Sequence, residues 1–125
     1  MQDYALTLSD KQTISGSAVA SENYINEDVA FNTGAPFIAE TFLHSDFSAS
    51  ADFKVEIQAS ADSSFSTVEV LGEKTVAKAD AVAGTSIQIP LSYNKKKENK
   101  YIRAYYTGTM TGSVSTVIQP RVQTN

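Results

Sequence analysis

The chain contains no cysteine, which removes disulfides, thiolate catalysis and cysteine-based zinc sites together. A cytosolic folding compartment suits that absence, although many secreted sandwiches also lack disulfides. There is a single histidine, His44, beside a generic Asp46. A metal or catalytic site needs several converging groups, so His44 reads as a strand-end surface residue. No apolar stretch approaches the roughly 20 residues that span a bilayer. The start, Met1-Gln2-Asp3-Tyr4-Ala5-Leu6-Thr7-Leu8, is polar and acidic where a signal sequence needs a basic and then an apolar run. Neither export by the usual route nor membrane embedding is expected. Basic residues are few: the net charge is -4 and the pI about 4.8, which argues mildly against nucleic acid, because phosphate neutralisation needs clustered Lys and Arg. Also missing are a glycine-rich phosphate loop, a Ser/His/Asp set and a paired-carboxylate constellation. No catalytic residue, cofactor or metal ligand is therefore assigned, and the chain is not expected to be an enzyme.

What the sequence has in quantity is strand chemistry. Its 125 residues and 13.5 kDa fit one β domain over 1–125, with 1–3 and 121–125 as flexible tails; a globule of this size buries roughly two thirds of the surface its unfolded chain exposes. Ser and Thr number 27, and with the β-branched and aromatic residues they suit strands and tight turns. The clearest period-two run is 53–60, with Phe53, Val55, Ile57 and Ala59 on one face and Lys54, Glu56, Gln58 and Ser60 on the other. It reads as a half-buried antiparallel strand. A second strong run is 100–107, where Ile102, Ala104 and Tyr106 form one stripe and Tyr101, Arg103 and Tyr105 the other. Phe37, Ala39, Thr41 and Leu43 alternate with Ile38, Glu40, Phe42 and His44, apolar residues falling on both faces. That strand is expected to be covered on both sides, in the centre of the domain or at an intersubunit contact.

Shorter strands follow the same logic. A first strand ends at Ser9-Asp10, with Gln12-Thr13-Ile14 as a continuation after a kink, and Ser15-Gly16-Ser17 is a turn cluster. Residues 19–25 read as a surface loop with a short strand at Tyr24-Ile25. Asn26-Glu27-Asp28 lacks the flanking ligands and glycine of a calcium loop and reads as a solvated turn; 32–36 is a second turn. The corner 61–66 closes through Asp and Ser side chains, with Phe65 tucking toward the core. A strand at 67–71, hairpin punctuation at Gly72-Glu73-Lys74 and a weak strand at 75–79 come next, then 86–91, where Pro90 requires an edge or a strand end. A turn at 107–112 separates the last strand, 113–118. Nine or ten short strands of this kind, without a useful amphipathic helix, predict an antiparallel sandwich or barrel.

Two surface features carry alternative readings. Lys95-Lys96-Lys97 after Tyr93-Asn94 is a solvated loop tip, a steering patch for an acidic partner surface, or a nucleic-acid contact. The Tyr101, Arg103, Tyr105 stripe is cross-strand sheet stabilisation or a platform for sugars or nucleobases.

The segment Phe53 to Phe65 resembles the strand-and-corner signature of the tailed-bacteriophage capsid cement (decoration) proteins typified by the Bordetella phage cement protein. Flanking pieces are similar in matching order: Leu6-Thr7-Leu8-Ser9-Asp10-Lys11-Gln12, Gly34-Ala35-Pro36-Phe37, Gly84-Thr85-Ser86-Ile87-Gln88-Ile89-Pro90-Leu91, Lys100-Tyr101-Ile102-Arg103-Ala104-Tyr105-Tyr106 and Ser113-Val114-Ser115-Thr116-Val117-Ile118. The lysine run in 92–99 departs from the Pro/Gly-rich turn of that pattern. The resemblance implies a jelly-roll-like domain that sits as an oligomer on the outer face of an icosahedral head and clamps neighbouring major capsid subunits. It implies the major capsid protein as partner and synthesis in the host bacterial cytoplasm, without nucleic-acid or membrane partners. A carbohydrate- or receptor-binding β domain of a virion or tail fibre is the alternative. The two-sided strand 37–44 and Phe31 offer more apolar surface than one small sandwich needs, so a homo-oligomer, dimer or trimer, is expected. Tyr93, Lys95, Lys96, Lys97, Phe37 and Phe42 are the candidate partner-interface residues.

Overall fold

A computed structural model describes residues 7–26, 37–91 and 99–120. Within them lie eight strands: β1 (Thr7–Ala20), β2 (Ile25–Asn26), β3 (Phe37–Leu43), β4 (Ser48–Ala49), β5 (Phe53–Ser60), β6 (Glu69–Val76), β7 (Ser86–Pro90) and β8 (Tyr101–Pro120). All pairings are antiparallel, in the order β6-β5-β8-β3-β7, with β1, β2 and β4 also paired to β8. The ends of that path approach each other where Gly72 of β6 passes Pro90 of β7, so the sheet nearly closes into a barrel. The fold is all-β and antiparallel, as the alternation predicts, with its sheet nearly closed on itself.

The organising element is β8, twenty residues long. Its first part pairs with β5, from Lys54↔Thr107 to Ser60↔Tyr101, and its last part with β3, from Phe37↔Pro120 to Leu43↔Val114. β1 runs along the other edge of β8 from Thr7↔Val117 to Ala20↔Tyr105. One continuous ribbon therefore belongs to both walls of the barrel. Its inward side chains, Ile102, Ala104, Tyr106, Met110, Val114, Thr116 and Ile118, are all buried, and they meet Phe53, Val55, Ile57, Leu8, Ile14, Leu43 and Ile89 in one core. Burying side chains of this size contributes about 1.5–3 kcal/mol each.

The expected turn at 107–112 is absent: the chain stays in β8 throughout. Gly108 and Gly112 do take positive φ, 142° and 120°, and they do so for close approach. A Cβ on Gly108 would lie 2.7 Å from the Asp52 carbonyl oxygen, and one on Gly112 would lie 2.5 Å from that of Asp46. The 46–52 connection crosses β8 there and adds β4, which pairs Ser48↔Thr111 and Ala49↔Met110.

Other expected turns are corrected too, at Gly72 for the same reason. Gly72-Glu73-Lys74 lies inside β6, where one residue bulges opposite Ile57 and Gln58; a Cβ on Gly72 would lie 2.6 Å from the Pro90 carbonyl. The weak strand expected over 75–79 stops at Val76, and a hydrogen-bonded turn follows, Asp80 and Ala81 N–H donating to the Ala77 carbonyl. Ser15-Gly16-Ser17 sits within β1, its ladder shifting register between Gly16 and Ala18 without breaking. The kink near Asp10 is real: the register shifts between Ser9 and Gln12, and Lys11 has φ 52°. Eight strands, two of them long, replace nine or ten short ones among the described residues. The short strand near 24–25 is β2, one residue later than expected. Pro90 closes β7 at the end of the strand path, where no ladder needs its amide. β3 lies between β8 and β7; Ala39, Thr41 and Leu43 are buried on its inner face, while Phe42 on the other is 40% exposed. The tails at 1–3 and 121–125, Glu27 and Asp28, Phe31 and the 32–36 turn lie outside the described residues.

Candidate functional site

Two polar constellations stand out, one inside the barrel and one outside. Inside, Thr41, Thr116, Tyr106 and Ser9 are all fully buried, yet their hydroxyls form a chain. Thr41 Oγ1 lies 2.8 Å from Thr116 Oγ1, which is 2.6 Å from Tyr106 Oη, which is 2.7 Å from Ser9 Oγ. The Ser9 hydroxyl donates to Gln12 Oε1 at 2.7 Å. Gln12 is held in that orientation by its Nε2 donating to the Ala20 carbonyl and by the Glu22 N–H donating to Oε1. With the Ser9 hydrogen committed to an acceptor-only atom, Tyr106 must donate to Ser9, Thr116 to Tyr106 and Thr41 to Thr116. Burial pushes the Tyr106 hydroxyl up to about 12, against the lowering effect of Ser9 and Thr116. The chain ties β1, β3 and β8 together, and solvent does not reach it; it is structural.

Outside, the stripe opposite the core on β8 meets the outer face of β5. Arg103 is the register partner of Gln58, and its Nε–H donates to Gln58 Oε1 at 2.9 Å. Gln58 Nε2 donates in turn to Glu56 Oε1 at 2.8 Å, and Glu56 pairs with Lys54 at 2.8 Å. The Lys54 ammonium holds the Glu56 carboxyl below its ordinary range. The guanidinium carbon lies 4.3 Å from the Phe65 ring centre and 5.1 Å from that of Tyr105. Tyr24, 51% exposed, packs edge-on against Phe65 at 6.3 Å and Tyr101 at 5.5 Å.

Phe65 is buried, as its sequence context predicts, but it covers the outer face and stands apart from the core cluster. Asp62 sets this corner by accepting from the Ser66 N–H, the Ser66 hydroxyl and the Ser60 hydroxyl. Those bonds, Ser66 first, hold its carboxyl below the usual range. The chain then takes φ 55° at Phe65 and lays the ring over Arg103.

The expected interface residues fare unevenly. Tyr93, Lys95, Lys96 and Lys97 lie outside the described residues. Phe37 begins β3 opposite Pro120, and nothing of its side chain is described. Phe42 packs edge-on against the His44 ring at 5.0 Å, at the rim of a shallow cleft of about 200 Å³ that includes Asp10, Glu40 and Ser115. His44 follows β3 as a strand-end residue, half-buried, with Nε2 2.7 Å from Ser115 Oγ. Asp46, which sequence reasoning passes over as generic, accepts from the Ser113 N–H and hydroxyl at 2.9 Å each, and these bonds lower its pKa.

The Bbp16 family model matches residues 8–118. The chain belongs to the Bbp16 family. Bbp16 is a Bordetella phage protein family, and this member is a phage structural protein associated with the virion. No curated protein matches this Bbp16 chain. Among solved structures it is similar to the N-terminal CBM22-1 and GH10 modules of Clostridium thermocellum endo-1,4-β-D-xylanase 10B complexed with xylohexaose. That likeness has 15% identity and a TM-score of 0.44, and it covers 98% of this chain and 29% of that one.

Proposed function

We propose that this Bbp16 protein is a capsid cement protein that binds the outer face of an icosahedral phage head and bridges major capsid subunits. The family match over nearly the whole fold carries the reading. A protein that binds the assembled shell better than its separated subunits stabilises that shell by mass action, and copies that each bridge two or more subunits gain further through multivalency. The work is mechanical and needs no reactive group, so the protein is proposed not to be an enzyme. It acts as a dimer or trimer, with the exposed Phe42 of β3 as part of the contact between copies or with the shell.

Add-back to heads purified without this protein tests the reading. Bound protein should raise the melting temperature of the heads, and an absence of binding would overturn it. Phe42→Ser should leave the fold intact and weaken either self-association, read by sedimentation, or head binding. The exposed Tyr24 and the Tyr101 beside it favour a second reading, a carbohydrate- or receptor-binding domain of a virion or tail fibre; glycan-array binding lost on Tyr24→Ala would support that reading in place of the first.

A further inference from the structure

Among the described residues, Arg103 is a cation without a counter-charge. Its Nε–H is satisfied by the neutral amide of Gln58, and among the described residues no carboxylate pairs with it. Burial pulls its pKa down. Lys54 on the same face differs, being neutralised by Glu56 at 2.8 Å and Glu73 at 3.4 Å. The Arg103 side chain is nonetheless held in place on three sides, by Phe65, Tyr105 and Gln58, while its Nη hydrogens meet no acceptor among the described residues. A partly dehydrated, pre-oriented guanidinium whose Nη donors meet no acceptor among the described residues is built to receive a planar oxyanion through two parallel hydrogen bonds.

We propose that Arg103, seated between Phe65 and Tyr105, is the docking point for a carboxylate on an acidic segment of a partner protein, with Tyr24 and Tyr101 as the adjoining aromatic contacts. A protein partner fits better than a small ligand because the group lies on a strand face. Tyr and Arg at the centre of such a face are the composition of interface hot spots. The net charge of -4 sharpens the choice: the rest of the chain repels an acidic partner, so the half-buried Arg103 cation fixes which face meets it. The inference deepens the capsid reading and rests on it only for the partner's identity.

Two measurements test it. In the first, wild type, Arg103→Lys, Arg103→Gln and Lys54→Gln are compared for binding to heads lacking the protein, each checked for an unchanged urea midpoint. Arg103→Gln should weaken binding at least about 30-fold and Arg103→Lys about 10-fold, since lysine keeps the charge but loses the planar fork. Lys54→Gln should bind within about twofold of wild type, its charge being already neutralised by Glu56 and Glu73. Wild-type binding unaffected by Arg103→Gln would overturn the inference and leave the capsid reading standing. The second measurement needs no heads: the Arg103 Nε–Hε resonance of the wild-type protein is followed during titration with acetylated hexaglutamate, acetylated hexalysine or N-acetylneuraminic acid. A shift with hexaglutamate and none with hexalysine supports the inference, even where heads fail to bind and the capsid reading falls. A shift with the acidic sugar alone, or no shift at all, overturns it.

Discussion

Tyr106 makes two contributions that one substitution separates. Its ring stacks on Phe53 at 6.2 Å with planes 12° apart, and its hydroxyl links Thr116 to Ser9. Tyr106→Phe keeps the first and leaves a buried donor and a buried acceptor unpaired, so urea unfolding should show a loss of about 1–3 kcal/mol. The pH dependence follows from the raised hydroxyl. In the unfolded chain the phenol ionises near 10.0, in the folded protein near 12, so the unfolded state holds fewer protons between those values and stability falls as pH rises through that window. The slope should approach about 1.4 kcal/mol per pH unit for this group, and Tyr106→Phe should remove it. At the acid end the sign reverses. Asp46, Asp62 and Glu56 are held below their ordinary range by Ser113, Ser66 and Lys54 respectively, so each stabilises the fold above about pH 4.5 and loses that effect as pH falls through its folded value. Asp46→Asn should flatten the acid limb of a thermal-melt series. The inward face at 102, 104 and 106 is legible from alternation, but the partners of Tyr106 are not. Thr41 falls on a strand expected to be covered, but nothing in the alternation brings it to Ser9 and Thr116 until the topology stacks them.

Elements were legible where side-chain alternation marked them and misread where glycine did. β5, β7 and both halves of β8 follow their period-two patterns, because a strand with one wet face must alternate. The glycines at 72, 108 and 112 read equally as turns, since sequence reports backbone freedom but not what it is needed for. Here it serves close crossings by Pro90, Asp52 and Asp46. The difference is measurable. Gly112→Ala adds a Cβ against the Asp46 carbonyl and the Phe47 backbone at a φ of 120°, which should cost about 2–6 kcal/mol from strain and overpacking together. Gly84→Ala also has a positive φ, 87°, but nothing stands within 4 Å; about 1–2 kcal/mol is expected. Equal losses in urea denaturation would mean that crowding at the β8 crossing is unimportant. Among the proposed contact residues, the Tyr101, Arg103, Tyr105 stripe was visible as a pattern. Phe65 was not, because its place depends on the Asp62 corner and a left-handed backbone that no periodicity encodes.

For the molecule as a whole, β1 and β8 are paired along most of their lengths although the paired positions lie 85 to 110 residues apart in the chain, Ala20 meeting Tyr105 and Thr7 meeting Val117. Interactions between such distant residues dominate the sheet, so refolding should take milliseconds to seconds rather than microseconds, and stopped-flow fluorescence of the tyrosines would measure it. The same arrangement has a consequence during synthesis. β1, β2 and β4 leave the ribosome with their β8 partner still untranslated, and although β5 can pair with β6 and β3 with β7, neither wall can be completed before β8 emerges. The two hairpin-like pairs stay unjoined until the ribbon that belongs to both halves arrives to link them.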